Sequence, residues 1–572
     1  MNIFVESRDS IGQGKAIRVT SETARDIGAY WWKNNDTLIY TRDFDGDENY
    51  HLFAVDKGGS NPRDLTPFPN VKVEVVDELQ EIDDEVLIGM NRRDAECFDV
   101  FRMNISTGQI QLIAENPGNI TRWVTDHTGA VRIAIATDGV NTTFLYRDVD
   151  SEPFREVKTI HFKESLEPLF FTPDNRAVYA LSNLGRDRLA IVKYDMAAAR
   201  ELEVIFEHPE VDLDGMAYSK KRKVATMIGY TTWKQQRQYL DEQIRQLFDR
   251  LTEKLPSSEV TITDYTKDEN TYIVRTYSDR SLGAFYIYDF SSDRLEKLAD
   301  VSPWLNESEL APMKPISYES RDGLIIHGYL TLPLGKSPEN LPVVVNPHGG
   351  PWVRDRWTYN PEVQFLASRG YAVLQVNYRG STGYGRKFWE ASFKQWGRKM
   401  QDDVSDGVLW LIKEGIADPK RVAIYGGSYG GYCTLAGLAF SPELYACGID
   451  YVGVSNLFTF MQTIPPYWKP FLESMYEMVG NPETDKDLLR SASPVFHVDR
   501  IRAPLMVVQG AKDPRVNIEE SNQIVDALRK RGIDVPYLVK ENEGHGFRNE
   551  ENRFEVYEAM EGFLEKHLDG HS

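Results

Sequence analysis

Near residue 305 the sequence changes from one pattern to another, and this change limits the available folds more than any other feature. Before it, short strands are broken by Asp, Asn and Gly turns. After it, continuous apolar strands alternate with helical stretches, which is typical of a parallel sheet buried on both faces. The 572 residues also exceed the size of one compact domain. We predict an all-β domain over 1–308 and an α/β domain over 309–572.

The N-terminal half repeats one unit: an apolar strand, a polar turn, a second strand that ends in Asp, and a more polar third strand. A repeat of roughly 45 residues suits a four-stranded propeller blade. We therefore predict a β-propeller of six to seven blades, with an irregular β-sandwich as the alternative. Residues 2–5 and 16–19 match only the last two strands of a blade, so we expect an incomplete first blade. The strand pairs that show the repeat best are 37–40 with 52–56, 86–89 with 100–103, 178–181 with 190–195, and 272–275 with 285–289.

One segment interrupts these strands. Apolar residues recur at helical spacing between charged residues over about 233–255, which predicts an amphipathic helix. This segment carries the acidic pair Asp241 and Glu242. A solvated helix face is the simpler interpretation of the pair, and binding of a substrate ammonium group is the alternative.

The C-terminal half alternates apolar strands with helices. The predicted strands are 343–346, 372–376, 422–425, 505–508 and 537–539, and the predicted helices lie near 361–369, 399–415, 430–440, 518–531 and 551–567. Ligands of such open sheets bind at the carboxyl ends of the strands. Polar residues that directly follow these strands are therefore the candidates for a functional site.

Residues 426–430 read Gly-Gly-Ser-Tyr-Gly and lie between an apolar strand and a helix. This is the Gly-x-Ser-x-Gly turn of α/β-hydrolases, on which the serine takes a strained backbone conformation. The positions two before and two after the serine must lack a Cβ, and Gly426 and Gly430 meet this demand. The motif predicts an α/β-hydrolase fold with Ser428 as nucleophile.

A serine nucleophile needs a base, and the base needs an orienting acid; in this fold they follow the serine in the order acid, then histidine. Asp513 follows the predicted strand 505–508, and His545 follows the strand 537–539. Both side chains are thus expected at the same edge of the sheet as Ser428. We predict that these three residues form a catalytic triad.

Acyl transfer also needs two preorganised donors for the oxyanion. The backbone N–H of Tyr429, directly after the nucleophile, is the first predicted donor. The second is the N–H of Gly350, in the His-Gly-Gly-Pro turn that follows strand 343–346. A plain Gly-Pro turn is the alternative. His348 is expected to support this turn by hydrogen bonding rather than to act as a base.

Composition adds a few expectations. A net charge of −21 argues against nucleic acid as a partner. Apolar runs stay below the roughly 18–20 residues that span a bilayer, so we predict no membrane partner. The first residues lack the pattern of a signal peptide, which predicts a cytoplasmic location, although an incomplete first blade leaves a periplasmic one open. No metal or organic cofactor is expected, and the sequence leaves open whether the chain forms a homo-oligomer.

Taken together, these motifs resemble the prolyl oligopeptidase family of serine peptidases, and within it the bacterial acylaminoacyl-peptidase and dipeptidyl-peptidase-5-like branch. The resemblance implies a propeller that restricts entry to an α/β-hydrolase active site, so that short peptides are the substrates. It assigns nucleophile, acid and base to Ser428, Asp513 and His545, and the oxyanion donors to Gly350 and Tyr429. The segments that carry it are residues 348–351, 377–385, 426–432, 510–513 and 543–547.

Three functions are compatible with these residues. The first is a serine peptidase that acts near the N-terminus of short peptides, of the acylaminoacyl or dipeptidyl type. A dipeptidyl peptidase must hold a free ammonium group, and Asp241 and Glu242 are the candidates for that contact. The second is a carboxylesterase with the same chemistry, and the third is a propeller-based binding protein with an inactive hydrolase domain.

Overall fold

The computed structural model describes residues 2–11, 14–23, 27–44 and 49–568. The described residues fall into two compact units, one made of those up to 184 together with 190–206, the other of 185–189 together with those from 207 onward. The predicted domain boundary at 308 is a different division and stays a prediction. Within the described ranges, no helix is both long enough and apolar enough to cross a bilayer.

The first unit is built from antiparallel sheets that follow one another along the chain. Strands β1 (Phe4–Val5) and β2 (Ile17–Arg18) pair with each other, at the two segments predicted to belong to one blade. Four four-stranded sheets follow, each made of consecutive strands. Their strands are β3 to β6 (Ala29–Trp32, Thr37–Arg42, His51–Asp56, Arg63–Asp64), β7 to β10 (Val73–Asp77, Glu85–Asp94, Cys97–Asn104, Ile110–Ala114), β11 to β14 (Ile120–Thr125, Val131–Thr137, Asn141–Tyr146, Arg155–His161) and β15 to β18 (Leu166–Phe171, Val178–Ser182, Ala190–Asp195, Arg200–Phe206).

The middle strands of these sheets supply the core. In the first sheet, Leu38 and Ile39 of β4 and Leu52 of β5 are buried. The last strand of a sheet is more exposed, as in β18, where most side chains are partly or fully exposed. The strand pairs predicted from the repeat are the paired middle strands, because only these are apolar enough to be recognised in the sequence.

Two further antiparallel sheets belong to the second unit, which brings the consecutive sheets of three or four strands to six. The first has three strands and the second has four: β19 to β21 (Leu213–Ser219, Val224–Thr231, Gln235–Tyr239) and β22 to β25 (Glu259–Tyr265, Thr271–Tyr277, Ala284–Asp289, Arg294–Asp300).

The helix between these two sheets is shorter than predicted. Helix α1 spans Glu242–Lys254, whereas the start of the predicted segment 233–255 belongs to strand β21. Asp241 fixes the start of the helix, because its side chain accepts the backbone N–H of Ile244 at 3.0 Å. The apolar stripe of the helix packs on the four-stranded sheet, with Leu247 and Leu251 fully buried.

The remainder of the second unit is an α/β domain around an eight-stranded sheet with the order β26-β27-β29-β28-β30-β31-β32-β33. Strand β27 pairs antiparallel with both of its neighbours, β26 and β29, and the remaining neighbours pair parallel. Strands β26 to β33 are Met313–Glu319, Ile325–Thr331, Leu341–Pro347, Ala372–Asn377, Ala417–Gly427, Cys447–Tyr451, Leu505–Gly510 and Tyr537–Lys540. Helices α2 to α10 are Pro361–Ser368, Arg386–Glu390, Lys399–Lys413, Tyr429–Phe440, Leu457–Gln462, Leu472–Met478, Lys486–Ala492, Ile518–Lys530 and Glu550–Leu568. The described residues also form four short 3-10 helices, one in the first unit (Arg8–Ser10) and three in the second (Glu307–Glu309, Pro466–Phe471 and Pro494–Arg500).

The parallel part of this sheet positions the predicted site. The carboxyl ends of β30, β32 and β33 lead directly into the loops that carry Ser428, Asp513 and His545. Parallel neighbours bring these three ends to one edge of the sheet. Apolar side chains of the sheet pack against helices α2 and α10, which makes the strands a rigid base for the loops.

Candidate active site

Ser428 lies on a tight turn between β30 and α5. Its backbone has φ 59° and ψ −118°, a conformation that is strained for a residue with a side chain. A Cβ on Gly426 would lie 2.7 Å from backbone atoms of Gly430, and a Cβ on Gly430 would lie 2.2 Å from the carbonyl oxygen of Pro347. Both positions therefore require glycine, for the steric reason given by the motif.

The structure brings the three predicted triad residues together. The Nε2 atom of His545 lies 3.0 Å from the Ser428 hydroxyl oxygen, and its Nδ1 atom lies 2.7 Å from Oδ2 of Asp513. The other carboxylate oxygen of Asp513 accepts the backbone N–H groups of Arg515 and Val516 at 2.8 and 2.9 Å. An acceptor-only carboxylate facing Nδ1 makes that nitrogen the protonated one, so Nε2 is free to accept the serine proton.

The loops of the acid and the base are joined to each other. The backbone N–H of Lys512 donates to the carbonyl oxygen of Glu543 at 2.9 Å. The Glu543 carboxylate then accepts the backbone N–H groups of Arg548 and Asn549 at 3.0 and 2.9 Å and the side-chain amides of Asn549 and Asn552. Burial acts to raise the pKa of Glu543, but these hydrogen bonds outweigh it and lower the pKa. The ionised carboxylate thus holds the loop that presents His545.

The predicted oxyanion donors lie on the two segments that flank the nucleophile. Tyr429 is the first residue of α5, so its N–H has no acceptor within the helix. The His-Gly-Gly-Pro turn packs against the serine turn: a Cβ on Gly349 would lie 3.4 Å from the Cβ of Ser428. Gly350 has φ 119°, a conformation that favours glycine.

His348 supports this turn. Its Nε2 atom lies 2.9 Å from the hydroxyl of Ser381, and its Nδ1 atom lies 3.0 Å from the hydroxyl of Tyr378. The Tyr378 hydroxyl also donates to the carbonyl oxygen of His348 at 2.8 Å. Burial lowers the pKa of His348 to about 4, so the ring is neutral near pH 7. The contacts are those of a structural residue.

Comparison with known sequences gives the family of this site. The sequence profile of the prolyl oligopeptidase family matches residues 357–571. Dipeptidyl aminopeptidase BIII of Pseudoxanthomonas mexicana is 36% identical, over 100% of this chain and 84% of that protein. Dipeptidyl peptidase family member 6 of Caenorhabditis elegans is 31% identical, over 97% of this chain and 80% of that protein. The chain belongs to the prolyl oligopeptidase family. The predicted family is confirmed, and with it the predicted class of enzyme, a serine peptidase whose substrates are peptides.

Other known proteins match less of the chain or only its fold. The acylamino-acid-releasing enzyme of Arabidopsis thaliana is 30% identical over 46% of this chain and 33% of that protein. A puromycin-hydrolyzing peptidase of Mycobacterium tuberculosis superposes with a TM-score of 0.76 over 98% of this chain and 90% of that one, at 21% identity. The predicted combination of a β-propeller with an α/β-hydrolase domain is thereby confirmed, with six blades.

The acidic pair on α1 has partners of its own. Asp241 caps the helix and forms an ion pair of 2.6 Å with Arg222. Burial acts to raise the pKa of Asp241, but Arg222 and the capping hydrogen bond lower it. Glu242 pairs with Arg245 at 2.6 Å on the exposed face. These contacts account for both side chains without a ligand, and their contact with a substrate amine stays a prediction.

Two residues of the site were not predicted. Glu543 holds the histidine loop, and its position directly before Gly544 and His545 was the available signal. Tyr451 accepts the backbone N–H of Ser428 through its carbonyl oxygen at 2.9 Å, and its hydroxyl accepts the N–H of Phe547 at 2.6 Å. It lies on β31, a strand that the sequence pattern did not predict. Among the residues that the structure describes, no group of three or more His, Cys, Asp or Glu side chains is placed to bind a metal ion.

Proposed function

We propose that this peptidase of the prolyl oligopeptidase family releases dipeptides from the free N-terminus of short peptides, with Ser428 as the nucleophile. The observation that carries the chemistry is the position of His545, between the Ser428 hydroxyl at 3.0 Å and the Asp513 carboxylate at 2.7 Å. An arrangement of nucleophile, base and orienting acid at these distances is the requirement for acyl transfer.

In the first half of the reaction, His545 takes the proton of Ser428 as its oxygen attacks the substrate carbonyl. Asp513 stabilises the imidazolium that forms, and its buried position keeps the ring in one orientation. The N–H groups of Tyr429 and Gly350 are the proposed donors to the oxyanion of the tetrahedral intermediate.

His545 then donates its proton to the leaving amine, which breaks the peptide bond and leaves an ester on Ser428. Water, activated by the same histidine, hydrolyses this acyl-enzyme and restores the free serine. Protonation of the leaving nitrogen is the step that an amide demands and an ester does not.

The preference for a free N-terminus is supported by the coverage of the relatives. The relatives from Pseudoxanthomonas mexicana and Caenorhabditis elegans, which match nearly the whole chain, are both named as dipeptidyl enzymes. The acylamino-acid-releasing enzymes match half of the chain or less. The net charge of −21 supports peptides rather than nucleic acid as partners.

The test compares initial rates on matched dipeptide 4-nitroanilides, one series with a free amine and one acetylated. We expect the free series to be cleaved faster, and fluorophosphonate labelling and turnover to be lost in Ser428→Ala. A preference for the acetylated series would instead indicate an acylaminoacyl peptidase. Full turnover by Ser428→Ala would overturn the assignment of the nucleophile.

A further inference from the structure

A pocket of about 470 Å³ lies beside the catalytic histidine, in the α/β domain. Its walls come from the start of α2, the carboxyl ends of β30 and β31, the loop after His545, and α10. Five aromatic and two charged side chains dominate the lining: Tyr359, Tyr425, Tyr451, Phe547, Tyr557, Glu362 and Arg553. The mechanism described above does not use this pocket.

The pocket is connected to the reacting groups. Gly546 and Phe547, which directly follow His545, form part of its wall. Tyr451, which forms another part, binds the backbone N–H of Ser428 with its carbonyl oxygen at 2.9 Å. Its ring packs edge-on against the ring of Phe547, with 5.3 Å between the centroids. The pocket therefore begins one residue away from the group that protonates the leaving amine.

The lining has the chemistry of a cation site. The hydroxyl groups of Tyr425 and Tyr557 both donate to Oε1 of Glu362, at 3.0 and 3.1 Å. Burial raises the pKa of both tyrosines, so the phenols stay neutral and keep donating. A carboxylate held among aromatic faces attracts a positive group, through the charge and through the ring quadrupoles.

Arg553 is the opposing charge of the pocket. Its side chain belongs to an exposed residue of α10. Burial raises the pKa of Glu362, and the hydrogen bonds from Tyr425 and Tyr557 and the charge of Arg553 offset only part of this rise. An exposed guanidinium retains most of its hydration, so its attraction for Glu362 is screened. A second cation that enters the pocket competes with Arg553 for the carboxylate.

We propose that this pocket binds the side chain of the residue that follows the scissile bond, and that it favours lysine or arginine there. The inference rests on the proposed function, because it places the leaving amine at His545. That amine belongs to the residue after the scissile bond, whose side chain starts one atom away from the protonated nitrogen. A long basic side chain brings its positive end to Glu362 and its methylene groups to the aromatic rings.

The test uses tripeptides that share their first two residues and differ in the third, with lysine or its uncharged counterpart norleucine. We expect the wild-type kcat/KM to be about tenfold higher for lysine, the usual scale of a hydrogen bond to a buried charge. Glu362→Gln should bring the ratio of the two rates close to one. Arg553→Gln should raise the ratio a few-fold, because it removes the competing cation. Glu558→Gln, which removes an exposed acid of α10 that does not line the pocket, should leave the ratio unchanged.

Opposite effects of the two pocket variants separate charge recognition from a general loss of structure, and the exposed position of Arg553 keeps the test valid if Glu362→Gln folds poorly. A wild-type ratio near one, or a ratio that neither variant changes, would overturn the inference. Dipeptide 4-nitroanilides, which carry no third residue, distinguish the two failures. If the dipeptide 4-nitroanilides are cleaved but the tripeptides show no preference for lysine, only the proposed role of the pocket is refuted. If no substrate is cleaved, the proposed function is refuted and the inference with it.

Discussion

Gly510 and Gly544 lie so close together that a Cβ on Gly510 would stand 2.3 Å from the carbonyl oxygen of Gly544. Gly510 ends β32 and leads to Asp513, and Gly544 directly precedes His545. This backbone contact, with the hydrogen bond from Lys512 to Glu543, sets the separation of the acid and the base.

We expect Gly510→Ala to lower kcat by about a hundredfold, because backbone must move and a displacement of about 1 Å in a catalytic group has this effect. Steady-state kinetics with a dipeptide 4-nitroanilide measure the loss. Gly562→Ala is the matched control: this glycine lies in α10 with no atom within 4 Å of an added Cβ. It should keep full activity and gain about 0.5–1 kcal/mol of unfolding free energy. If Gly510→Ala keeps the kinetics of the wild type, the loops of Asp513 and His545 can move apart without loss of activity.

Asp513→Asn should reduce kcat by about 10⁴-fold, the scale of the same change in other serine triads, without unfolding the protein. The side-chain oxygen of the asparagine is expected to face the N–H groups of Arg515 and Val516, as Oδ1 of Asp513 does. Its NH₂ group then faces His545, which places the ring proton on Nε2 and removes the base. Kinetics and circular dichroism check this, and a loss below tenfold would contradict the role given to Asp513.

The stability of the folded protein should fall as the pH drops from about 6.5 towards 4, in part because of His348. Its pKa is about 4 in the folded protein, lowered by burial, and about 6.5 in an unfolded chain. Between these values the unfolded chain binds a proton that the folded protein does not, which favours unfolding at the lower pH. Urea unfolding at several pH values should show a steeper loss for the wild type than for His348→Gln. If the unfolding free energies of the two proteins fall equally with pH, the pKa of His348 is the same in the folded and unfolded states.

Asp241→Ala should lower the free energy of unfolding by about 1–2 kcal/mol, because α1 loses its N-cap and Arg222 loses a partner. The ratio of rates on free and acetylated substrates should stay unchanged. Thermal unfolding and the two substrate series measure these effects together. A fall in the ratio with unchanged stability would show instead that Asp241 holds the substrate amine.

The strands and turns that could be predicted are those with a local signal. Strand β30 is apolar over residues 422–425, and positions 426 and 430 carry a steric requirement that only glycine meets, so the fold and the proposed nucleophile followed from one segment. Asp513 and His545 could be placed because each directly follows an apolar strand. Local patterns of this kind can be recognised in a sequence without knowledge of tertiary contacts.

Features that depend on tertiary contacts could not be predicted. Strand β31 contains Gly448 and the buried Asp450, whose carboxylate packs against Gly431 of α5, so its sequence lacks an apolar run. The start of α1 was placed too early, because β21 has few apolar residues and only the cap at Asp241 marks the boundary. The pocket beside His545 joins residues from α2, two strands and α10, which no spacing in the sequence connects.

Strand β33 has consequences for how the enzyme loses activity. It is four residues long, lies at the end of the sheet order and has no fully buried side chain, and among the described strands it pairs only with β32. Such a strand separates from a sheet at a lower free-energy cost than the centre of the sheet does. His545 follows this strand, so a local opening removes the catalytic base while the nucleophile turn on β30 stays folded. We therefore expect the peptidase to lose activity by fraying of this edge at conditions milder than those that denature the whole domain.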